Sequence, residues 1–199
     1  MILLIASEKD LENETAHLNQ LFKAGLASYH FRKPAKSLEE CRRFLDLIDS
    51  EYHARIVTHG FHALAEEYTL KGVHLKEQLR TDLKEGLLPY VQNYRDKGFT
   101  VSSSFHEPEA LSDCKIPFDY CLLSPVFTSI SKQGYQGKGF NIGHVPKKII
   151  GLGGIREETI AQTVALGYSG IGVLGAIWQS KEPIKSFIRI QQAYRACIK

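Results

Sequence analysis

The sequence has few cysteines and no C-x-x-C pair, so a disulfide scaffold is excluded. The 199 residues include four cysteines, Cys41, Cys114, Cys121 and Cys197. Sparse cysteines without paired spacing are typical of reduced thiols in a reducing compartment. We therefore expect a cytoplasmic protein with free thiols.

An excess of charge of one sign is also missing. Lys and Arg total 25 against 22 Asp and Glu, a net charge of +3, which gives no signature of nucleic-acid or membrane-surface binding. The apolar opening, Met1–Ile5, is too short for a secretory or spanning segment. We expect a small-molecule substrate, no nucleic acid and no membrane, and leave a homo-oligomer open.

No linker rich in proline, glycine or serine divides the chain, so residues 1–199 are predicted to form one domain. Short apolar runs alternate with amphipathic stretches, a pattern that indicates repeated β/α units. The predicted strands are eight: Ile2–Ile5, Ser28–Arg32, Arg55–Thr58, Gly72–Leu75, Thr100–Ser104, Tyr120–Ser124, Ile149–Gly151 and Gly170–Leu174.

Helix signals lie between these strands. Ser37-Leu-Glu-Glu40 is a capping box, Gly167 follows a predicted helix over Arg156–Leu166, and Pro183 begins a final helix to about Cys197. The fold class is therefore α/β, an eight-stranded parallel β/α barrel (TIM barrel). An irregular segment, 127–146, replaces the helix after strand six and is typical of a functional or mobile loop.

In such a barrel the carboxyl ends of the strands form the active site. The residues predicted there are basic and rich in histidine: His30, Arg32, His59, His74, Lys76, His106 and Lys132. Acidic residues are few, which disfavours two-metal chemistry and glycoside hydrolysis. His59 and His62 lack a third ligand at a diagnostic spacing, so no metal site is predicted.

Two glycine-rich turns follow strands seven and eight. They are Gly151-Leu-Gly-Gly154-Ile and Gly170-Ile-Gly-Val-Leu-Gly175-Ala. Glycine allows backbone N–H groups to approach an anion, and barrel phosphate sites often occupy these two loops. The pair predicts a phosphate site.

Several segments in order resemble the thiamine-phosphate synthase/TenI family, which is built on this barrel. They are His30-Phe-Arg-Lys33, Gly72-Val-His-Leu75, Ser102-Ser-Ser-Phe-His106, Ser124-Pro-Val-Phe-Thr-Ser-Ile-Ser-Lys132, Gly153-Gly-Ile155 and Gly170–Ile177. The resemblance implies a thiamine-biosynthesis enzyme that binds a phosphorylated thiazole. The substrate and phosphate contacts expected from it are His30, His74, Ser102, Ser129, Ser131, Gly153, Gly154, Leu174 and Gly175.

The family has two activities, a transferase and an isomerase. In the synthase branch, the thiazole couples to an aminopyrimidine methyl diphosphate; Arg32 and Lys132 match the groups that stabilise the departing diphosphate. That branch implies Mg²⁺, but its two aspartates align with Gly60 and Leu79 here, so no cofactor is certain. In the TenI tautomerase branch a histidine matching His106 moves the proton.

Two further hypotheses remain open. One is a noncatalytic barrel that binds a phosphorylated ligand and has lost its chemistry with its carboxylates. The weaker one is a metal enzyme built from His30, His59, His74 and His106.

Overall fold

A closed barrel of eight parallel strands forms the centre of the molecule. The structure, a computed structural model, describes residues 1–128 and 136–198. Each strand pairs with the next in chain order, and the eighth pairs with the first. The strands are β1 Ile2–Ile5, β2 Ser28–Phe31, β3 Ile56–Thr58, β4 Gly72–Leu75, β5 Thr100–Phe105, β6 Tyr120–Leu123, β7 Ile149–Leu152 and β8 Gly170–Val173.

Helices surround the barrel and connect successive strands. They are α1 Glu14–Lys23, α2 Leu38–Asp46, α3 Leu64–Glu67, α4 Glu77–Asp82, α5 Leu87–Asp96, α6 Pro108–Asp113, α7 Ile160–Ala165, α8 Gly175–Trp178 and α9 Pro183–Cys197. Short 3₁₀ turns cover Ser50–Arg55, Lys84–Gly86 and Glu157–Thr159. No helix in the described part of the chain is long and apolar enough to cross a membrane.

The barrel prediction is confirmed in every strand, with end points within one residue. The capping box is also confirmed, because Ser37 Oγ accepts the Glu40 N–H and the Glu40 carboxylate accepts the Ser37 N–H. The helix predicted from Arg156 is wrong at its start, since a 3₁₀ turn precedes α7. The stretches 127–128 and 136–146 hold neither helix nor strand, as predicted, and the remainder of that segment lies outside the described residues.

The barrel interior has an apolar half and a polar half. Strands β1, β6 and β7 contribute an apolar cluster made of Leu3, Ile5, Tyr120, Leu122 and Ile150. Strands β2, β4 and β5 contribute histidine and serine side chains that are fully buried: His30, His74 and Ser102. A second and larger apolar core fills the space between the strands and the helices. The polar half lies beneath the site described next.

Candidate active site

A cavity of about 350 Å³ opens at the carboxyl ends of the strands. Because every strand is parallel, residues that follow different strands meet at this one end. The lining includes Arg32 after β2, His59 after β3, His106 after β5 and the turns after β7 and β8. The volume lies in the range of small-molecule sites.

Glycine forms one wall of the cavity. Gly153 and Gly154 have φ values of 102° and 65°, a left-handed conformation that favours glycine. A Cβ on Gly154 would lie 2.5 Å from the Thr128 carbonyl oxygen, so a side chain there is excluded. Gly175, the first residue of α8, lies on the same wall, and the first N–H groups of a helix have no partner within it. This wall therefore presents main chain to a ligand.

His106 lies on the cavity wall in a defined orientation. Its Nδ1 is 3.1 Å from the Ser124 carbonyl oxygen and 3.3 Å from the Ser124 hydroxyl oxygen. Donation of an Nδ1–H to the carbonyl oxygen, which can only accept, places the hydrogen of the neutral ring on Nδ1. Its Nε2 is 3.7 Å from a carboxylate oxygen of Glu77. The other Glu77 oxygen accepts from Arg80 at 3.0 Å. The lone pair of His106 is therefore at Nε2, beside a carboxylate held in place by a guanidinium.

Three basic side chains lie at or near the cavity opening, and they differ in burial and in their partners. Arg32 pairs with Glu8, and both residues line the cavity. Lys76 also lines it and is exposed. Lys33 is buried and pairs with Glu14 at 2.5 Å, so its charge is used in the fold. Both basic residues at the carboxyl end of β2, Arg32 and Lys33, therefore have an anionic partner.

Three histidines pack together beneath the cavity. His30 Nδ1 is 2.8 Å from His59 Nε2, and His30 Nε2 is 2.7 Å from the Tyr120 hydroxyl. His74 is hydrogen-bonded to Ser102 at 2.8 Å and to Ser104 at 2.7 Å. The rings of His59 and His74 stack with centroids 4.1 Å apart. We call His30, His59 and His74 the histidine cluster.

Burial keeps this cluster neutral. Desolvation, with a smaller contribution from Lys71, lowers the pKa of His30 to about 3. Desolvation also lowers the pKa of His59 and of His74 well below the ordinary value, and the neighbouring histidines add to the effect. All three rings therefore carry no charge at neutral pH.

The structure brings most of the predicted site residues together at one end of the barrel. Those that line the cavity are His106, Arg32, Gly153, Gly154, Leu174 and Gly175. His30, His74 and Ser102 lie deeper, fully buried. Lys132, Ser129 and Ser131 lie outside the described residues. Cys121 is buried in the core, and all four cysteines are free, as predicted.

The cavity also has lining residues that the sequence did not single out as site residues. Glu77, Ser104 and Ser124 belong to this group. Ser104 and Ser124 each come two residues after an inward-pointing residue, Ser102 of β5 and Leu122 of β6. The alternation of side chains along a strand was therefore an available signal. Glu77 carried no such signal, because its position beside His106 depends on how α4 begins.

Magnesium does not fit the side chains at the aligned positions. Gly60 has no side chain, and Leu79 packs against the apolar core. The two carboxylates on the cavity wall, Glu8 and Glu77, are each paired with an arginine. Mg²⁺ requires oxygen ligands, which Gly60 and Leu79 do not provide.

Fold and cavity together place the chain among β/α barrels with a cavity of small-molecule size at the carboxyl end of the strands. A family model described as "Thiamine monophosphate synthase" matches residues 2–177. The chain therefore belongs to the thiamine-phosphate synthase/TenI family, whose members are enzymes of thiamine biosynthesis.

Individual relatives agree with that family. A thiamine-phosphate synthase of Actinobacillus pleuropneumoniae is 26% identical over 205 residues, covering 88% of this chain and 89% of the relative. The crystal structure of a thiamine phosphate pyrophosphorylase from Bacteroides thetaiotaomicron is 26% identical, with a TM-score of 0.74 and coverage of 98% and 97%. One from Pyrococcus furiosus, 17% identical with a TM-score of 0.77 and coverage of 100% and 96%, shares the fold.

Proposed function

We propose that this protein is a thiazole tautomerase, which moves a proton within a phosphorylated thiazole carboxylate. The observation that carries the proposal is the arrangement of His106, whose Nε2 faces the cavity region beside Glu77 while Nδ1 is fixed by Ser124. A fixed imidazole with its lone pair at the substrate is suited to take a proton from one position and return it to another.

Glu77 supports this role electrostatically. When His106 accepts the proton at Nε2, the ring becomes a cation, and the carboxylate 3.7 Å away stabilises it. Arg80 holds that carboxylate at 3.0 Å and also stacks on Phe105, 4.0 Å from the ring centroid. The two contacts fix the side chain of Glu77 before substrate arrives.

The rest of the cavity is assigned to substrate anions. The phosphate is expected against the main chain of Gly153, Gly154 and Gly175, where only a backbone without side chains allows close approach. The positive charges of Arg32 and Lys76 are expected to attract the carboxylate.

A second candidate function is the coupling reaction of the synthase branch. The curated relatives favour it, because two that match most of the chain carry the name thiamine-phosphate synthase. Arg32 on the cavity wall is suited to stabilise a leaving diphosphate. The coupling reaction is disfavoured because Gly60 and Leu79 stand at the positions of the two aspartates that hold Mg²⁺ in the synthase branch.

One pair of assays separates the two functions. Purified protein is given the thiazole carboxylate phosphate, and isomerisation is followed by NMR across a Mg²⁺ titration; a parallel sample receives the thiazole phosphate and the aminopyrimidine diphosphate. We expect isomerisation at a rate independent of Mg²⁺ and no thiamine phosphate. Thiamine phosphate formed only with Mg²⁺, without isomerisation, would replace the proposal by the synthase.

Tight binding of the thiazole phosphate with neither reaction would instead establish the noncatalytic barrel. In that case the cavity binds the phosphorylated ligand but catalyses neither reaction.

A further inference from the structure

The histidine cluster has the composition of a metal site. His30, His59 and His74 are buried, and one ligand atom from each lies within 4.8 Å of the others. Within residues 1–128 and 136–198 this is the one group of three metal-ligating side chains that come so close. Imidazole nitrogen suits Zn²⁺, Co²⁺, Ni²⁺ and Cu²⁺, whereas Mg²⁺ and Ca²⁺ require oxygen.

In His30 and His74, the hydrogen bonds allow one ring nitrogen to donate while the other keeps its lone pair. A neutral imidazole has one N–H and one lone pair. His30 can donate its Nε2–H to Tyr120 and leave Nδ1 free, and His74 can donate to one of its two serine partners. Metal-bound histidines ordinarily donate their second nitrogen in this way.

The contact between His30 and His59 is of the length expected where one hydrogen is shared. Their facing nitrogens are 2.8 Å apart, so one of them carries the hydrogen between them. A metal ion bound by both nitrogens would replace that hydrogen and move the two nitrogens apart to about 3.3 Å. His59 Nδ1 is buried without a hydrogen-bond partner. The bond between the two rings therefore uses one of the two polar atoms of His59 and leaves the other unsatisfied.

The cluster also has access to the cavity on one side. His59 lines the cavity together with Arg32 and Lys76. Three protein ligands with an open position toward a substrate cavity are the arrangement of catalytic rather than structural zinc sites. Because the nearby side chains are cationic, the open position favours an anionic fourth ligand.

We propose that His30, His59 and His74 bind one divalent transition-metal ion of the zinc type, with its open position facing the cavity and taking an anionic oxygen of the ligand. His106, which contacts Ser124, lies outside this group, so the arrangement differs from a site of four histidines. The site does not depend on the proposed proton transfer, since it is defined by binding alone.

Metal titration of the purified full-length chain, with any affinity tag removed, tests the site. Metal-stripped protein is titrated with Zn²⁺ by calorimetry and with Co²⁺ by visible absorption, without substrate. We expect one equivalent per chain, Co²⁺ bands of four- or five-coordinate intensity, no competition by excess Mg²⁺, and a shift of the Co²⁺ spectrum when azide is added.

Matched variants locate the ion. His59→Ala is expected to lower Zn²⁺ affinity at least about 100-fold, since it removes a direct ligand. His53→Gln, at a half-buried histidine hydrogen-bonded to the Leu45 and Ile48 carbonyl oxygens, and the exposed His144→Ala are expected to retain wild-type affinity. Circular dichroism verifies that each variant is folded.

Absence of saturable Zn²⁺ and Co²⁺ binding by folded wild-type protein would overturn the site. Binding that His59→Ala leaves unchanged, or that His144→Ala abolishes, would overturn it as well. If His59→Ala does not fold, the wild-type Co²⁺ spectrum decides, because a weak six-coordinate spectrum contradicts a three-histidine site. None of these outcomes bears on isomerisation, so the two proposals fail separately.

Discussion

Individual residues at the cavity differ sharply in how their charge is balanced. His106 stands between a backbone carbonyl and a carboxylate, whereas Lys33 is buried against Glu14 with 1% of its side chain exposed. The first arrangement leaves a proton-accepting atom available, and the second contributes to the fold alone. Two basic residues can therefore be assigned a chemical or a structural role only when the partners of their side chains are known.

Replacement of the assigned base tests its role directly. His106→Gln keeps a hydrogen-bonding side chain but removes the titrating nitrogen, so the isomerisation rate is expected to fall about 10²–10⁴-fold. The rate is measured by NMR, with His144→Gln as the control that keeps the wild-type rate. A His106→Gln enzyme of undiminished rate would remove this residue from the mechanism.

The buried ion pair of Lys33 and Glu14 gives a prediction for stability. Lys33→Met leaves the Glu14 carboxyl buried without its cation, and the free energy of unfolding is expected to fall by about 3–5 kcal/mol. Denaturant unfolding measures the loss. Lys185→Met, which breaks the exposed pair with Glu182, is expected to leave the free energy of unfolding near that of the wild type, because solvent screens this pair. Equal effects of the two variants would contradict the assignment.

The position of His106 could be predicted because it directly follows β5 and matches a family histidine. Glu77 could not be predicted as its neighbour, since that contact depends on the direction of a side chain in the first turn of α4. The histidine cluster combines residues 30, 59 and 74 on or directly after the neighbouring strands β2, β3 and β4; the strands could be predicted, but the directions of the three side chains could not.

At the scale of elements, the strand-to-helix turns are the parts that the ligand requires. The turn after β7 combines two left-handed glycines, and both lie on the cavity wall. The strands themselves were predictable from short apolar runs. The turn conformations were predictable only as glycine clusters, because φ values and close approaches depend on packing against the chain after β6.

A methyl group at Gly154 is expected to damage both fold and binding. At φ of 65°, with the added Cβ 2.5 Å from the Thr128 oxygen, Gly154→Ala strains the turn by about 1–3 kcal/mol. We also expect the affinity for the thiazole phosphate to fall at least about 10-fold.

Gly86→Ala is the matched control for that substitution. Gly86 has a φ of −73° and open space around its Cβ position, so both stability and affinity are expected to remain near wild type. Thermal unfolding and calorimetric titration measure the two properties. Wild-type affinity in Gly154→Ala would place the phosphate elsewhere.

The whole molecule combines an ordinary apolar core with several buried neutral histidines. Burial lowers the pKa of His30 to about 3 and that of His62 to about 4. In the unfolded chain each has a pKa of about 6.5. Their contribution to stability is complete above that value and is lost as the pH falls, because only the unfolded state binds the protons.

The fold is therefore expected to lose stability already at mildly acidic pH. Between about pH 6 and pH 4.5 the free energy of unfolding should fall by roughly 1.4 kcal/mol per pH unit for each buried histidine. Urea unfolding at several pH values measures the slope. His62→Gln should lower this slope by the contribution of one proton, and His144→Gln should leave it unchanged. A free energy of unfolding that does not change with pH over this range would contradict the buried neutral state.

A crystal structure with the thiazole carboxylate phosphate bound tests the central claim most directly, since it locates anion and proton acceptor together. The account predicts the phosphate against the main chain of Gly153, Gly154 and Gly175, with the thiazole ring within hydrogen-bond reach of His106 Nε2. Phosphate bound away from these glycines, or a thiazole ring out of reach of His106, would contradict it.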